Sequence, residues 1–223
     1  MNPLTPRPSL VGQAYEAILD EICEGAIPAN THLVQEALAA RLGVSRQPVQ
    51  QALLLLKNDG VLLDAGRRGL MVAPLDPRTV RHHYQVRAAL EALAARLAAG
   101  RCAASPAEAA RIGRAGEEIL AAGEAAVVAG SVREMVARDV EFHRFLYDAS
   151  GNPVLGPTAQ VHWRYLRRVM GEVLRIARQP PATWRQHREI LEAVRRGDEE
   201  AAANLASRHV EEAASRLTSS LEH

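Results

Sequence analysis

Three histidines and one aspartate stand where apolar residues belong. Asp139 and His143 are spaced i and i+4, one turn apart on the same helical face. The stripe they interrupt is Val132, Met135, Phe142 and Leu146. His187 falls within Trp184, Leu191 and Val194, and His209 within Leu205, Ala213 and Leu217. A core histidine bonded to a backbone carbonyl is the ordinary explanation of any one of them. It serves the set less well, because a lone buried carboxylate is costly and three buried imidazoles each need a partner. One divalent ion satisfies all four. Three neutral imidazole nitrogens and a carboxylate oxygen suit Zn²⁺, with Ni²⁺, Mn²⁺ or Fe²⁺ as alternatives. The spacing predicts a metal centre of Asp139, His143, His187 and His209.

A second group of polar residues lies near the other end, in Arg41 to Gly60, RLGVSRQPVQQALLLLKNDG. Ser45 is a good N-cap and Pro48 falls in the first turn, where a missing N–H costs nothing. Val49, Leu53 and Leu56 recur at helical spacing, so one face is apolar. The exposed start carries Arg46, Gln47, Gln50 and Gln51. Arginine can bond guanine bidentately and glutamine can do the same with adenine when a helix end enters the major groove. These residues predict a DNA-reading helix.

The elements that must position the two groups are helical. The chain has 223 residues, of which 48% are apolar but only 4% aromatic. Alanine, leucine, arginine and glutamate dominate, which favours helices. Net charge is +1, so any nucleic-acid contact must come from a local patch. Arg41, Arg46, Lys57, Arg67 and Arg68 form one, against Asp59 and Asp64. Cys23 and Cys102 are isolated and read as reduced core residues. No apolar run is long enough to span a bilayer and the N-terminus has no signal-peptide pattern, so a cytoplasmic protein is expected.

In chain order, Ser9 caps a helix burying Leu10, Ala14, Ile18, Leu19 and Ile22 and ending near Gly25. A short helix from about Val34 to Leu42 is broken by Gly43, and the DNA-reading helix starts at Ser45. Val61-Leu62-Leu63 and Leu70-Met71-Val72 flank a Gly-rich turn and read as a β-hairpin whose tip carries Arg67, Arg68 and Gly69. Helix-turn-helix plus basic hairpin is a winged helix. Pro74 to Pro77 is a stiff linker, giving domains 1–75 and 76–220, with 221–223 resembling a tag remnant. Helices are expected from Arg78 to Ala99 with Gly100 at C′, from the Ser105 capping box to Ala129, and from the Ser131 capping box to Ser150. Others run to Arg178, from Ala182 to Arg196 and from Glu199 to Ser219. The fold class is mainly α: a winged helix-turn-helix followed by an antiparallel bundle of about six helices.

Residues 10–73 resemble the N-terminal domain of the GntR superfamily of bacterial transcription regulators, in LVQEALAARLGVSRQPVQQAL, LKNDGVL and RRGLMVAPLD. The resemblance implies that Arg46 and Gly69 contact DNA. Gln50 departs from it, because the family usually has arginine within SR-x-PVR-x-AL, so a neutral amide replaces a long cation. Residues 78–218 resemble the FadR-type C-terminal ligand domain (FCD), in VRAALEALAARLAAG, D-x-x-x-H with GNPVL after it, HREILEAVRRGD and ASRHVEEA. In its metal-binding members the aspartate and three histidines of these phrases are the ligands, matching Asp139, His143, His187 and His209.

The resemblance implies a homodimeric regulator, a repressor, whose winged domains read a pseudo-palindromic operator. A small organic acid would bind at the metal. Arg87, beside Tyr84, Leu90 and Leu97, is the candidate for the remote end of that acid, against the alternative of a surface arginine paired with Glu91. His162, Arg164 and Arg168 are further candidates for the cavity wall. His82 and His83 are expected at the surface or the domain interface. A metal-dependent hydrolase or lyase is the competing function, and it would need a general acid or base that none of the three stripes supplies. A purely structural metal is the third reading.

Overall fold

A computed structural model describes residues 9–66, 69–176 and 182–221. The chain divides between Leu75 and Asp76 into two compact units. The first contains α1 (Leu10–Cys23), β1 (His32–Leu33), α2 (Gln35–Leu42), α3 (Arg46–Asn58), β2 (Leu62–Asp64) and β3 (Leu70–Val72). The second contains α4 (Pro77–Ala104), α5 (Pro106–Ala129), α6 (Val132–Ala149), α7 (Leu155–Ile176), α8 (Ala182–Arg195) and α9 (Glu199–Leu221).

In the first unit Ile18, Leu19, Val49, Leu53 and Leu56 are buried together, with Val61, Leu62 and Val72 of the hairpin against them. Each such side chain stabilises by about 1.5–3 kcal/mol. Ser9 caps α1 through Gly12 N at 3.0 Å. Leu10, expected in the apolar face, is 55% exposed instead, since it stands at the helix end beyond the reach of that core. Gly43 takes φ +65 and ends α2, which makes the sharp turn into α3. The wing is a three-stranded antiparallel sheet of order β1-β3-β2, with Leu63 opposite Met71 and His32 opposite Met71 on the other side. Strand β1 was not foreseen, because two residues carry no readable alternation.

In the second unit α4 and α9 pack along their lengths. Gly100 does not close α4, which runs on to Ala104. Gly100 remains helical, and a Cβ there would meet Glu199 Oε1 of α9 at 3.1 Å. Pro106 enforces the stop at Ser105 instead. Ser105 and Ser131 accept from Glu108 N and Glu134 N, both at 3.3 Å. The glutamates of these capping boxes bond arginines, Arg101 and Arg111 for Glu108 and Arg138 for Glu134. The far end of the α7 expectation, through Arg178 to Pro181, lies outside the described residues, as do Glu222 and His223.

Helix α5 determines where α8 sits. Gly113, Gly116 and Gly123 are buried on one face of it. A Cβ on Gly123 would lie 2.0 Å from the Trp184 ring, and one on Gly116 would lie 2.5 Å from Leu191. The missing side chains admit α8 to close approach, and His187 lies between the two α8 residues that fill the gaps. Trp184 also packs edge-on against His187, with centroids 4.9 Å apart.

Candidate functional site

The second unit brings Asp139, His143, His187 and His209 together from α6, α8 and α9. One ligand atom from each lies within 4.8 Å of every other, and all four residues are buried. His187 Nε2 is 3.1 Å from His209 Nε2 and 3.5 Å from Asp139 Oδ1; His143 Nε2 is 3.7 Å from Asp139 Oδ2. Tetrahedral ligands at ~2.1 Å from one ion stand about 3.4 Å apart, so these three separations suit a single ion, and the widest pairs would have to draw in by about an ångström.

The outer nitrogens show how the rings are held. His209 Nδ1 is 3.0 Å from Gln186 Oε1, and Gln186 Nε2 donates to Glu212 Oε2 at 2.6 Å. That carboxylate fixes the amide orientation, so His209 carries its proton on Nδ1 and turns the Nε2 lone pair inward. His143 Nδ1 lies 2.6 Å from Glu91 Oε2, a close contact whose alignment falls short of a hydrogen bond. Carboxylate or carbonyl partners on the outer nitrogen are the usual company of metal-ligating histidines. His143 Nε2 and His187 Nδ1 are buried with no hydrogen-bond partner. A divalent ion would satisfy the first of these and the facing Nε2 pair; nothing in the structure accounts for His187 Nδ1.

Burial holds all three imidazoles well below the usual histidine range, with the neighbouring rings adding to the effect at His187 and His209. They are neutral and able to ligate at neutral pH. Burial pushes the Asp139 carboxyl up to about 7, against the opposing pull of Arg87. The donor set therefore matches a divalent cation better than it matches four unaided side chains.

Arg87 and Glu91 were not expected in this form. Arg87 is only 2% exposed and Glu91 is fully buried, with Arg87 Nε 2.5 Å from Glu91 Oε1. The pairing foreseen for a surface arginine exists, but inside the bundle. Burial disfavours the Arg87 charge, and Glu91 more than restores it. The Arg87 guanidinium lies over the Trp163 ring at 3.8 Å, Trp163 Nε1 donates to Tyr147 Oη, and Tyr147 donates to Glu91 Oε1. Glu91 is thus the second carboxylate that the three stripes lack, already hydrogen-bonded by Arg87 and Tyr147 and in close contact with His143. Its signal was readable: Glu91 interrupts the buried stripe Val80, Tyr84, Ala88, Ala95 and Ala98 of α4.

A cavity of about 40 Å³ opens beside the cluster, lined by Tyr84, Arg87, Asp139, Trp184, His209 and Arg216 among others. It has room for about three waters, at roughly 10–15 Å³ for each. Of these two arginines, Arg87 Nη2 and Arg216 Nε are buried without a hydrogen-bond partner. Arg216 had given no signal, being one of 26 arginines in the chain. Of the other suggested wall residues, Arg168 is buried, His162 and Arg164 are half-buried, and none of the three lines this cavity. His82 is exposed; His83 is half-buried against α7.

In the first unit Ser45, Arg46, Gln47 and Gln50 are exposed at the start of α3. Ser45 is the N-cap by backbone geometry but makes no side-chain capping bond. Arg46 Nη2 meets Glu36 Oε1 at 2.5 Å, a surface pair that is 70% and 65% exposed and so worth little. Gly69 takes φ +81 at the wing, where Ala65 N donates to Gly69 O at 2.8 Å. Arg67 and Arg68 lie outside the described residues.

Comparison with known proteins agrees with this division. Residues 10–72 match the bacterial regulatory proteins of the gntR family, and residues 82–212 match the FCD domain. The chain belongs to the GntR family, with an FCD domain. It is similar to the HTH-type transcriptional regulator YdhC of Bacillus subtilis (strain 168), 28% identical over 196 residues, covering 85% of this chain and 83% of that one. The HTH-type transcriptional repressor RspR of Escherichia coli (strain K12) is 24% identical over 219 residues, covering 95% and 89%. Among solved structures, E. coli McbR/YncC shares the fold with a TM-score of 0.77 at 22% identity, over 94% of this chain and 97% of that chain. This GntR-family chain is accordingly a DNA-binding transcription regulator, and the family consists of regulators rather than enzymes. No helix among the described residues is long and apolar enough to cross a membrane.

Proposed function

We propose that this regulator is a homodimeric repressor acting in the cytoplasm, whose operator affinity is set by a small carboxylate bound at a divalent metal in the FCD bundle. The observation that carries the reading is the Asp139, His143, His187 and His209 cluster, two of whose members line a cavity with Arg87 and Arg216, arginines that each bury a guanidinium nitrogen without a hydrogen-bond partner. Zn²⁺ is the first choice of ion from the donor set, ahead of Ni²⁺, Mn²⁺ and Fe²⁺. Bound there, the ion would supply a Lewis-acidic seat for a carboxylate oxygen.

The chain's own residues do the rest. Arg87 Nη2 and Arg216 Nε offer hydrogen bonds to an anion, and Glu91 keeps Arg87 oriented while steadying His143. Tyr84 and Trp184 add apolar wall to the cavity, and an acid that displaced its water would make those bonds in a low-dielectric setting. Because α9 carries both His209 and Arg216 and packs along α4, an acid that draws them together would bias the packing of the bundle. Regulation requires that the acid bind the two arrangements with different affinity. Ser45, Arg46, Gln47 and Gln50 would read base edges, and Arg67, Arg68 and Gly69 would meet the backbone or minor groove.

Dimerisation is supported by an apolar stripe on α4, where Val86 and Leu93 are 44% and 42% exposed and Leu90 and Leu97 half-buried at helical spacing. Two winged domains would then read the half-sites of a pseudo-palindrome. The experiment is a screen of small carboxylates by thermal shift on metal-analysed protein, followed by titration of an operator selected from random duplexes. The acid that stabilises the protein is expected to weaken that complex. A screen in which no carboxylate alters operator affinity removes the proposal. If metal removal unfolds the bundle and no acid responds, the metal is a structural clamp.

A further inference from the structure

Two more imidazoles face one another away from the buried centre. His83, in the second turn of α4, and His162 of α7 place their Nδ1 atoms 3.0 Å apart. Their rings meet edge-on at 72° with centroids 5.2 Å apart, and Tyr165 stacks on the His83 ring at 4.6 Å. Both residues are half-buried, so the pair is partly packed and partly open to solvent. Burial holds both below the usual histidine range, with the neighbouring His162 and His82 adding to the effect at His83. Neutral imidazoles are what a metal requires.

The spacing is informative. Two nitrogens bound at right angles to one ion at ~2.1 Å stand about 3.0 Å apart, the arrangement of tetragonal Cu²⁺ and Ni²⁺ sites. We propose that His83 and His162 form a second cation site, taking an ion of the Cu²⁺ or Ni²⁺ class through their Nδ1 atoms, with solvent in the remaining positions. The site is separate from the Asp139 cluster and does not depend on it. Its place gives it a consequence. His162 adjoins Trp163, whose ring lies under the Arg87 guanidinium and 5.1 Å from the His143 ring. An ion joining His83 to His162 would clamp the seam between α4 and α7 beside the buried centre.

A plain N–H···N hydrogen bond has the same 3.0 Å length, so the test must separate the two. Full-length protein without added oligohistidine is saturated with Zn²⁺ and titrated with Cu²⁺ at neutral pH, with electron paramagnetic resonance as the readout. Wild type is expected to take up one Cu²⁺ with nitrogen hyperfine structure and without releasing zinc. His83→Gln and His162→Gln should each weaken that uptake at least tenfold, whereas His82→Gln and His209→Ala should leave it. Should one glutamine variant fail to fold, the other decides, together with Cu²⁺ protection of His83 and His162 from diethylpyrocarbonate in the wild type. Copper binding unchanged in the glutamine variants, or lost in His209→Ala alone, overturns the site.

Discussion

The first unit buries only apolar side chains among its described residues, and its polar groups of interest, Arg46, Gln47 and Gln50, stand in water. The second buries Arg87, Glu91, Asp139, His143, Arg168, His187 and His209, and leaves some of their atoms without partners. A solvated glutamine costs nothing until DNA arrives, so a reading surface can be assembled on an ordinary apolar core. A buried carboxylate with three imidazoles has a standing cost, which the proposed ion would offset. The contrast is between polar groups left in water and polar groups held inside at a cost.

Removing the metal is the largest way to test that contrast. A ligand at 1,000 times its Kd stabilises by about 4 kcal/mol. A domain of this size loses roughly 2–4 °C per kcal/mol, so chelation should lower the melting point of the bundle by on the order of 10 °C. The winged unit should melt as before. His209→Ala should give the same loss and no metal by elemental analysis; retained full occupancy would disprove the ligand set.

Gly123→Ala comes next. Its Cβ would overlap the Trp184 ring, and overpacking of this kind costs about 1–3 kcal/mol. Because Trp184 precedes His187 by one turn, metal affinity should fall along with stability. Calorimetric titration showing unaltered affinity would mean that α8 is placed by something other than the glycine face. Glu91→Gln should weaken metal binding about 10–100-fold, the usual effect of disturbing a partner of a ligating histidine.

The smallest effect on stability is expected on the reading surface. Gln50→Arg leaves the fold within about 0.5 kcal/mol, since the side chain is exposed. It should shift base preference by about 1–3 kcal/mol, measured by competition between operator variants. Non-specific affinity should change less. A variant that bound every duplex as the wild type does would show that α3 is not the reader.

Much of this organisation is readable from the chain alone. Gly43 before Ser45, the hairpin around Gly69 and the capping serines 105 and 131 are local signals, each decided by a few neighbouring residues. So is the set Asp139, His143, His187 and His209, because a polar residue in an apolar stripe stands out within its own helix. Gly100 misled for the same reason: a glycine at a plausible helix end reads as a stop, while the side chain it makes room for, Glu199, is far away in sequence.

What only the tertiary structure decided are relations between helices. The sequence determined that four candidate ligands point inward; packing determined that they converge on one point. Arg87 stood between a cavity residue and a surface arginine, because periodicity cannot say how deep a face lies. It is buried because α7 lays Trp163 over it and Glu91 neutralises it. Gly113, Gly116 and Gly123 carry no chemistry, and their role exists only against α8. Arg216 joins Arg87 in the cavity because α9 runs along α4, a contact between residues more than a hundred positions apart. Short-range patterns fix which residues share a face, whereas burial and convergence depend on which faces meet.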